Sequence, residues 1–240
     1  MRIVRTAALA LGAAFLSVCS VAAAPGCDEL LPERMADTGG GTQLITAEAP
    51  RTGSSTGRVT WWERRGGRRY GRWVAVGSSE ARFGSKGLVA GSAREQGTNT
   101  TPTGLYDLPY AFGIKPAPAG TEMAYRRVTD KSWWCQDNRS HLYNRWAEGL
   151  PDDCLASESE RLISYGEQYA WAMVIGFNYD RPVRGRGAGI FLHVNGPGST
   201  AGCVSVPAPA MARILAWADP DRDPHIAIGT RSGPVAITRY

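Results

Sequence analysis

The sequence predicts a mainly β domain, on three observations. The 240 residues include 29 glycines and 15 prolines beside 8 tryptophans, a turn-rich composition unlike that of a helix bundle. Most apolar runs are short, rich in Val, Ile, Leu and aromatics, and bounded by turn residues. Clear helical spacing occurs late, in the stripe Met211, Ile214, Leu215 and Trp217. At 43% hydrophobic and 20% charged, the balance is that of an ordinary globular chain. The length allows one large or two small domains.

The N-terminus reads as a secretion signal over residues 1–24. Arg2 and Arg5 form its positive end, Ala7 to Val18 its apolar run, and Val21-Ala22-Ala23-Ala24 its cleavage region. The apolar run is shorter than the roughly 20 residues a membrane span needs. Val18 is a poor match for the small residue that precedes a lipidated cysteine, here Cys19. The expected location is therefore outside the cytoplasm, secreted or in the cell envelope.

Charge narrows the partners. The chain has 27 basic and 22 acidic residues, a net +5, and loss of the leader's two arginines leaves +3. This modest excess gives no reason to expect nucleic acid. Much of it is concentrated in Arg64-Arg65-Gly66-Gly67-Arg68-Arg69 and Arg72. A solvated hairpin tip is the simpler reading of that run. Association with anionic cell-wall polymer is the functional one. Interleaved Trp61, Trp62, Tyr70 and Trp73 would either stack on sugars or pack in the core.

Residues 25–42 read as a tether with a short helix near Asp28 to Met35. The domain proper is expected over 43–240. Gln43 to Ala47 is a first strand, and Arg58 to Glu63 and Arg72 to Val76 flank the Gly66-Gly67 turn. Ala81 to Ala93, with Gly84, Gly87 and Gly91, suits a twisted, interrupted strand. Pro102 and Gly104 fix a turn before another strand. Cys135 and Cys154 bracket a turn-rich loop and are paired as a disulfide, which an oxidising compartment permits. Cys27 is then left over, free or paired with another chain; the protein is expected to be a monomer. Ser157 to Gln168 suggests a helix capped by Ser159. Tyr169 to Tyr179 is a buried strand, paired with Gly189 to Val194. Pro207 starts a helix over Ala208 to Ala218, and His225 to Gly229 is the last strand. His141 and His225 sit in polar surroundings and read as surface and structural residues.

The chemistry is concentrated in Gly189 to Pro207, G-I-F-L-H-V-N-G-P-G-S-T-A-G-C-V-S-V-P. Side chains alternate along a strand, so Phe191 and His193 share one face, as do Cys203 and Ser205. If the two runs pair as a hairpin, the loop Asn195 to Ala201 sets His193 beside Cys203. An imidazole there can take the thiol proton and hold a thiolate as an ion pair. Gly202 allows close backbone approach, and the N–H groups of Gly202 and Cys203 can face an oxyanion. Gly185, Gly187 and Gly189 form a G-x-G-x-G with no helix after it, so no nucleotide role is assigned. No metal-ligand cluster is present and no cofactor is expected.

The segment Thr200-Ala201-Gly202-Cys203-Val204, following an apolar strand that ends in histidine, resembles the catalytic motif of the L,D-transpeptidase (YkuD-type) family. Arg94 to Tyr106 resembles the loop that opens that family's domain, with Gln96 in place of its usual acid. Trp134, Cys135, Asp137, Tyr143 and Asn144 resemble the branch carrying a W-C-D-D…Y-N segment. The resemblance covers roughly residues 43 to 230. It implies a β-sandwich of mixed sheets with a few short helices, and acyl transfer on peptidoglycan stem peptides. Cys203 would attack the third residue's carbonyl and His193 would handle the proton. A second stem's amine would then resolve the thioester into a 3→3 cross-link. The carbonyl of Gly189 or a neighbour would orient His193, and Thr200 would place the loop or the substrate. Trp134, Tyr143 and Asn144 would either wall the substrate site or build a small core of their own. The chain departs from many family members at Val194, where glycine is usual, and at Ser205, a substrate-side position usually Arg or Asn. Water as acceptor would make the enzyme an L,D-carboxypeptidase. The non-catalytic reading is a cell-wall-binding module.

Overall fold

The computed structural model describes residues 31–67 and 71–240. The signal segment, Cys19, Cys27, Arg68, Arg69 and Tyr70 lie outside the described residues. The chain is mainly β, as expected, built on a mixed sheet of eleven strands in the order β4-β5-β14-β1-β2-β3-β13-β12-β11-β6-β7. Strand β1 (Gln43–Ala49) runs antiparallel to β2 (Thr56–Arg65) and parallel to β14 (His225–Thr230). Strand β3 (Arg72–Arg82) pairs with β2 through a bulge at Trp61/Trp62. Beyond β14 lie β5 (Thr101–Asp107) and β4 (Leu88–Ala90). The other flank holds β13 (Val204–Val206), β12 (Phe191–Val194), β11 (Ala172–Val174), β6 (Ala111–Gly113) and β7 (Tyr125–Arg127). A separate small sheet sets β8 (Ser132–Cys135) between β9 (Arg145–Glu148) and β10 (Ser159–Arg161).

Alternation explains where the core lies. Leu192 and Val194 point into a large cluster with Ile45, Val59, Trp61, Val204 and Val206. Helix α1 (Ala208–Trp217) covers this side with Met211, Ile214 and Leu215, all fully buried. Each such side chain contributes roughly 1.5–3 kcal/mol relative to exposure, and the interrupted 3.6-residue stripe gives α1 one apolar face. On the opposite face, Phe191 centres an aromatic cluster. Its ring lies 4.8 Å from Trp134, 5.0 Å from Phe112 and 5.7 Å from Tyr169, all edge-on. Strand β12 is thus buried on both faces, which is why it reads as a continuous apolar run interrupted by His193.

Three sequence expectations are corrected. First, β12 and β13 are not a hairpin but a parallel pair, with His193 opposite Ser205. The loop between them turns back along the sheet because Arg82 donates to the carbonyls of Gly196 and Gly198, and Thr200 bridges to Gly84. Second, the helix expected over 157–168 is a strand followed by a 3-10 stretch, Leu162–Tyr169. Pairing of Glu160 with Trp134 claims the first part, and Gly166 at φ +52° interrupts the second. Third, only Ala172–Val174 of the long apolar run is strand, and Asn178 at φ +52° turns the chain at its end. The Cys135–Cys154 disulfide is present. Trp61, Trp62 and Trp73 are core residues, 8% exposed at most. Residues 31–35 lie against Trp62 and Trp73, where Glu33 accepts a hydrogen bond from the Trp73 amide.

Candidate active site

The sheet sets His193 and Cys203 on one face. Cys203 immediately precedes β13, and its side chain packs beside Phe191 in the aromatic cluster. His193 lies two positions further along, opposite Ser205, so histidine and cysteine are diagonal neighbours. Both side chains are largely buried, at 4% and 8% exposure. Cys203 is a free thiol. Its Sγ donates to the Gly189 carbonyl at 3.3 Å and accepts the Phe191 N–H at 3.4 Å. His193 Nδ1 lies 2.8 Å from the Val194 carbonyl. The group that orients the ring is therefore Val194, while the Gly189 carbonyl holds the thiol.

Burial decides the resting charge state, and it opposes the ion pair expected from the sequence. Desolvation pushes the Cys203 thiol up to about 12, with the nearby Glu160 carboxyl adding to the shift and the Phe191 amide and Arg94 opposing it. Desolvation pushes His193 down to about 4, against hydrogen bonds to the backbone of Val194 and Gln168. Thiol and imidazole are both neutral at rest near pH 7.

The turn before Cys203 is fixed by short polar contacts. Thr200 Oγ1 donates to the Cys203 carbonyl at 2.7 Å and accepts the Gly202 N–H at 3.1 Å. The Thr101 hydroxyl also reaches the Cys203 carbonyl, at 3.4 Å. Thr200 therefore places the loop, and it occupies the Gly202 amide that the sequence reading aimed at an oxyanion. Gly202 has φ +145°, and a Cβ there would meet Arg94 Nη2 at 2.8 Å and the Thr100 carbonyl at 2.9 Å. Only glycine fits that position without displacement.

Two cavities meet at Cys203. One, about 170 Å³, holds His193, Glu160, Tyr165, Tyr169 and the loop Gly196–Ala201. The other, about 120 Å³, holds Arg94, Gln96, Asn99, Gln136, Glu160 and Gly189. Glu160 lines both, and Tyr169 Oη donates to its Oε2 at 2.6 Å. Desolvation raises the Glu160 carboxyl above its usual range, against hydrogen bonds from Tyr169, Gln136 and Tyr165. Arg94, Glu160, Tyr165, Tyr169 and Gln136 were missed as site residues in the sequence. Arg94 sat in a loop read as structural, and Glu160 in a segment read as helix.

Other candidates lie behind this site. Asn144, 1% exposed, accepts from Trp134 Nε1 and the Gly189 amide, both at 2.9 Å, and donates to the carbonyls of Phe177 and Asn178. Tyr143 donates to Gln96 and accepts the Gly187 amide. Trp134 is 1% exposed. These contacts favour a scaffold that places Gly189, and through it the thiol, over a wall that touches substrate. Ser205 is fully buried and donates to Asn195 at 2.8 Å, which leaves its hydroxyl facing the protein. His141 is exposed and bonded to Asp153, and His225 to the Asp223 carbonyl. Among the described residues, no three His, Cys, Asp or Glu side chains group as a metal site, and no helix is long and apolar enough to cross a membrane.

Comparison with known families gives one result. The model of the L,D-transpeptidase catalytic domain, YkuD, matches residues 53–237, a span that contains every residue of both cavities. No curated protein matches the chain.

Proposed function

The chain belongs to the L,D-transpeptidase (YkuD) catalytic domain family, and from that membership we propose that it is a secreted cysteine acyltransferase that forms 3→3 cross-links between peptidoglycan stem peptides through a Cys203 thioester. Action on peptidoglycan of the L,D-transpeptidase type follows from the family itself. The observation that carries the finer reading is a free, buried thiol at the junction of two cavities, with a histidine on the same sheet face in one of them.

The neutral resting pair shapes the mechanism. Moving a proton from a thiol at about 12 to an imidazole at about 4 costs on the order of 10 kcal/mol if done alone. A free thiolate is therefore not the resting nucleophile. His193 takes the proton as Sγ bonds to the carbonyl carbon of the third stem residue, so that charge appears on the carbonyl oxygen rather than on sulfur. With the Gly202 amide held by Thr200, the Cys203 N–H is the donor that meets the oxyanion in this mechanism. The tetrahedral adduct collapses, the C–N bond to the terminal D-residue breaks, and His193 returns its proton to the departing amine. A second stem's side-chain amine then attacks the thioester. His193 takes the amine proton, the amide forms, and the thiol is restored.

Intact mass of the protein after incubation with a tetrapeptide stem tests this, wild type beside Cys203→Ala. A thioester adduct on wild type only, with release of the terminal D-residue, is expected. Added stem amine should convert the adduct to cross-linked product; hydrolysis alone would make the enzyme an L,D-carboxypeptidase. Folded, reduced protein that forms no adduct and releases nothing would sink the enzymatic reading. The wall-binding alternative has lost its best residues, since Trp61, Trp62 and Trp73 are core.

A further inference from the structure

Arg94 is a buried cation without an ion-pair partner among the described residues, although the Glu160 carboxyl lines the same cavity. Its side chain lies in the small cavity beside Cys203, 6% exposed. Nε donates to the Thr100 carbonyl at 2.9 Å and Nη1 to the Arg186 carbonyl at 3.0 Å. Nη2 makes no hydrogen bond among the described residues, and no Asp or Glu there forms an ion pair with it. Phe177 lies under the guanidinium at 5.6 Å. Glycines make the room: a Cβ at Gly187 would overlap Nη1, and one at Gly202 would stand 2.8 Å from Nη2. Burying a guanidinium in this way is costly unless an anion meets it. Neutral backbone carbonyls fix two of its nitrogens and leave the third beside the residue that precedes the nucleophile.

The anion can be identified from the reaction. In a stem peptide cleaved before its last residue, the free terminal carboxylate is three bonds from the scissile carbonyl carbon, under about 4 Å away. With that carbonyl on Cys203, the carboxylate must lie within the immediate surroundings of Gly202 and Cys203. We propose that Arg94 is the carboxylate receptor of the donor site, its Nη2 binding the free C-terminal carboxylate of the stem peptide while Cys203 attacks the preceding carbonyl. This rests on the acyl-transfer reading above. The neutral amide side chains of Gln96, Asn99 and Gln136 line the same cavity and add donors without adding charge. Arg94 then selects donors that end at the residue to be expelled. It rejects donors whose chain continues, because such donors bring no carboxylate to Nη2. The His193 cavity is left for the incoming amine.

The test compares two donor peptides of one sequence, one ending in a free carboxylate and one in a carboxamide. Acylation of Cys203 is followed by intact mass for wild type and Arg94→Met. Wild type is expected to acylate 10- to 100-fold less efficiently with the carboxamide, mainly through KM, the range for losing a charged hydrogen bond. Arg94→Met should bring the acid down to the carboxamide's level, so that the acid-to-carboxamide ratio of efficiencies falls to about one. A merely structural Arg94 would slow both peptides alike. Equal efficiency on the two peptides in wild type, or an unchanged ratio in Arg94→Met, overturns the proposal. If Arg94→Met does not fold, Arg94→Lys replaces it, with a ratio cut at least by half expected and an unchanged ratio counting against. Absence of an adduct from either peptide in wild type defeats the acyl-transfer reading itself, a different outcome from a ratio near one.

Discussion

Alkylation of Cys203 measures the neutral resting state directly. Burial raises the thiol from 9.0 to about 12, three pH units, so the thiolate fraction of the free enzyme is about 1,000-fold below that of an unperturbed cysteine at any pH under 8. The assay is the iodoacetamide rate by intact mass on a Cys27→Ser background, with N-acetylcysteine as reference. Cys135 and Cys154 are oxidised and silent. The rate is expected to lie about three orders of magnitude below the reference at pH 7.5. It should rise about tenfold per pH unit through pH 9 without a plateau. Steric protection alone would lower the rate but leave the reference's own plateau, near pH 9, in place. A plateau at or below pH 7, or a rate matching the reference, would mean a preformed thiolate–imidazolium pair. It would refute the argument that desolvation outweighs the attraction between the two groups.

His193 gives the complementary pH effect. Its imidazole sits at about 4 in the fold against 6.5 unperturbed, so between those values the unfolded chain binds the proton and the fold does not. Stability is therefore full above pH 6.5 and falls by about 3 kcal/mol as pH drops to 4; a pH series of denaturant midpoints should show it, and His193→Gln should remove that part of the slope. Gly202→Ala places a Cβ 2.9 Å from the Thr100 carbonyl at a backbone angle that disfavours side chains, so a loss of about 2–4 kcal/mol is expected, with acylation by the stem peptide abolished. Asn144→Ala orphans the Trp134 indole N–H and the Gly189 amide together. A cost of about 3–5 kcal/mol in thermal or chemical unfolding is expected, and a loss under 1 kcal/mol would show that water replaces the side chain.

Much of the fold was legible because strands declare themselves by period. The β2–β3 pair around Gly66-Gly67, the α1 stripe and the antiparallel partner of Ala172–Val174 all follow from alternation, spacing and turn residues. Direction was not legible. The segment Asn195 to Cys203 carries the same glycines, serine and proline whether it closes a hairpin or returns to make a parallel pair. What decides is Arg82, more than a hundred positions earlier, holding the carbonyls of Gly196 and Gly198. The 157–168 segment failed for a related reason. Its residues can form a helix, but the strand partner that claims Glu160 comes from residues 132–135, and tertiary pairing overrides local propensity.

The site divides along the same line. His193, Cys203 and Gly202 lie in one short stretch, and strand period groups His193 with Phe191 and Cys203 with Ser205. What puts histidine and cysteine on one face is the parallel pairing of β12 with β13, not the hairpin the sequence suggested. Their electrostatics come from elsewhere. Arg94 stands 109 positions before Cys203 and Glu160 stands 43 before it, and neither has a local signal that distinguishes it from a surface charge. The two side chains nevertheless set opposite conditions at the Cys203 thiol. Glu160 raises the thiol and Arg94 lowers it, and Glu160 borders both cavities while Arg94 borders one. A donor carboxylate bound at Nη2 would offset the Arg94 charge that lowers the thiol and so raise it further. The proposed mechanism then requires proton transfer to His193 and attack on the carbonyl to be one step. In that step the charge develops on the carbonyl oxygen rather than on sulfur, and the Cys203 N–H meets it there. On that proposal, the burial that keeps the resting thiol neutral favours attack on a bound peptide over side reactions with free electrophiles.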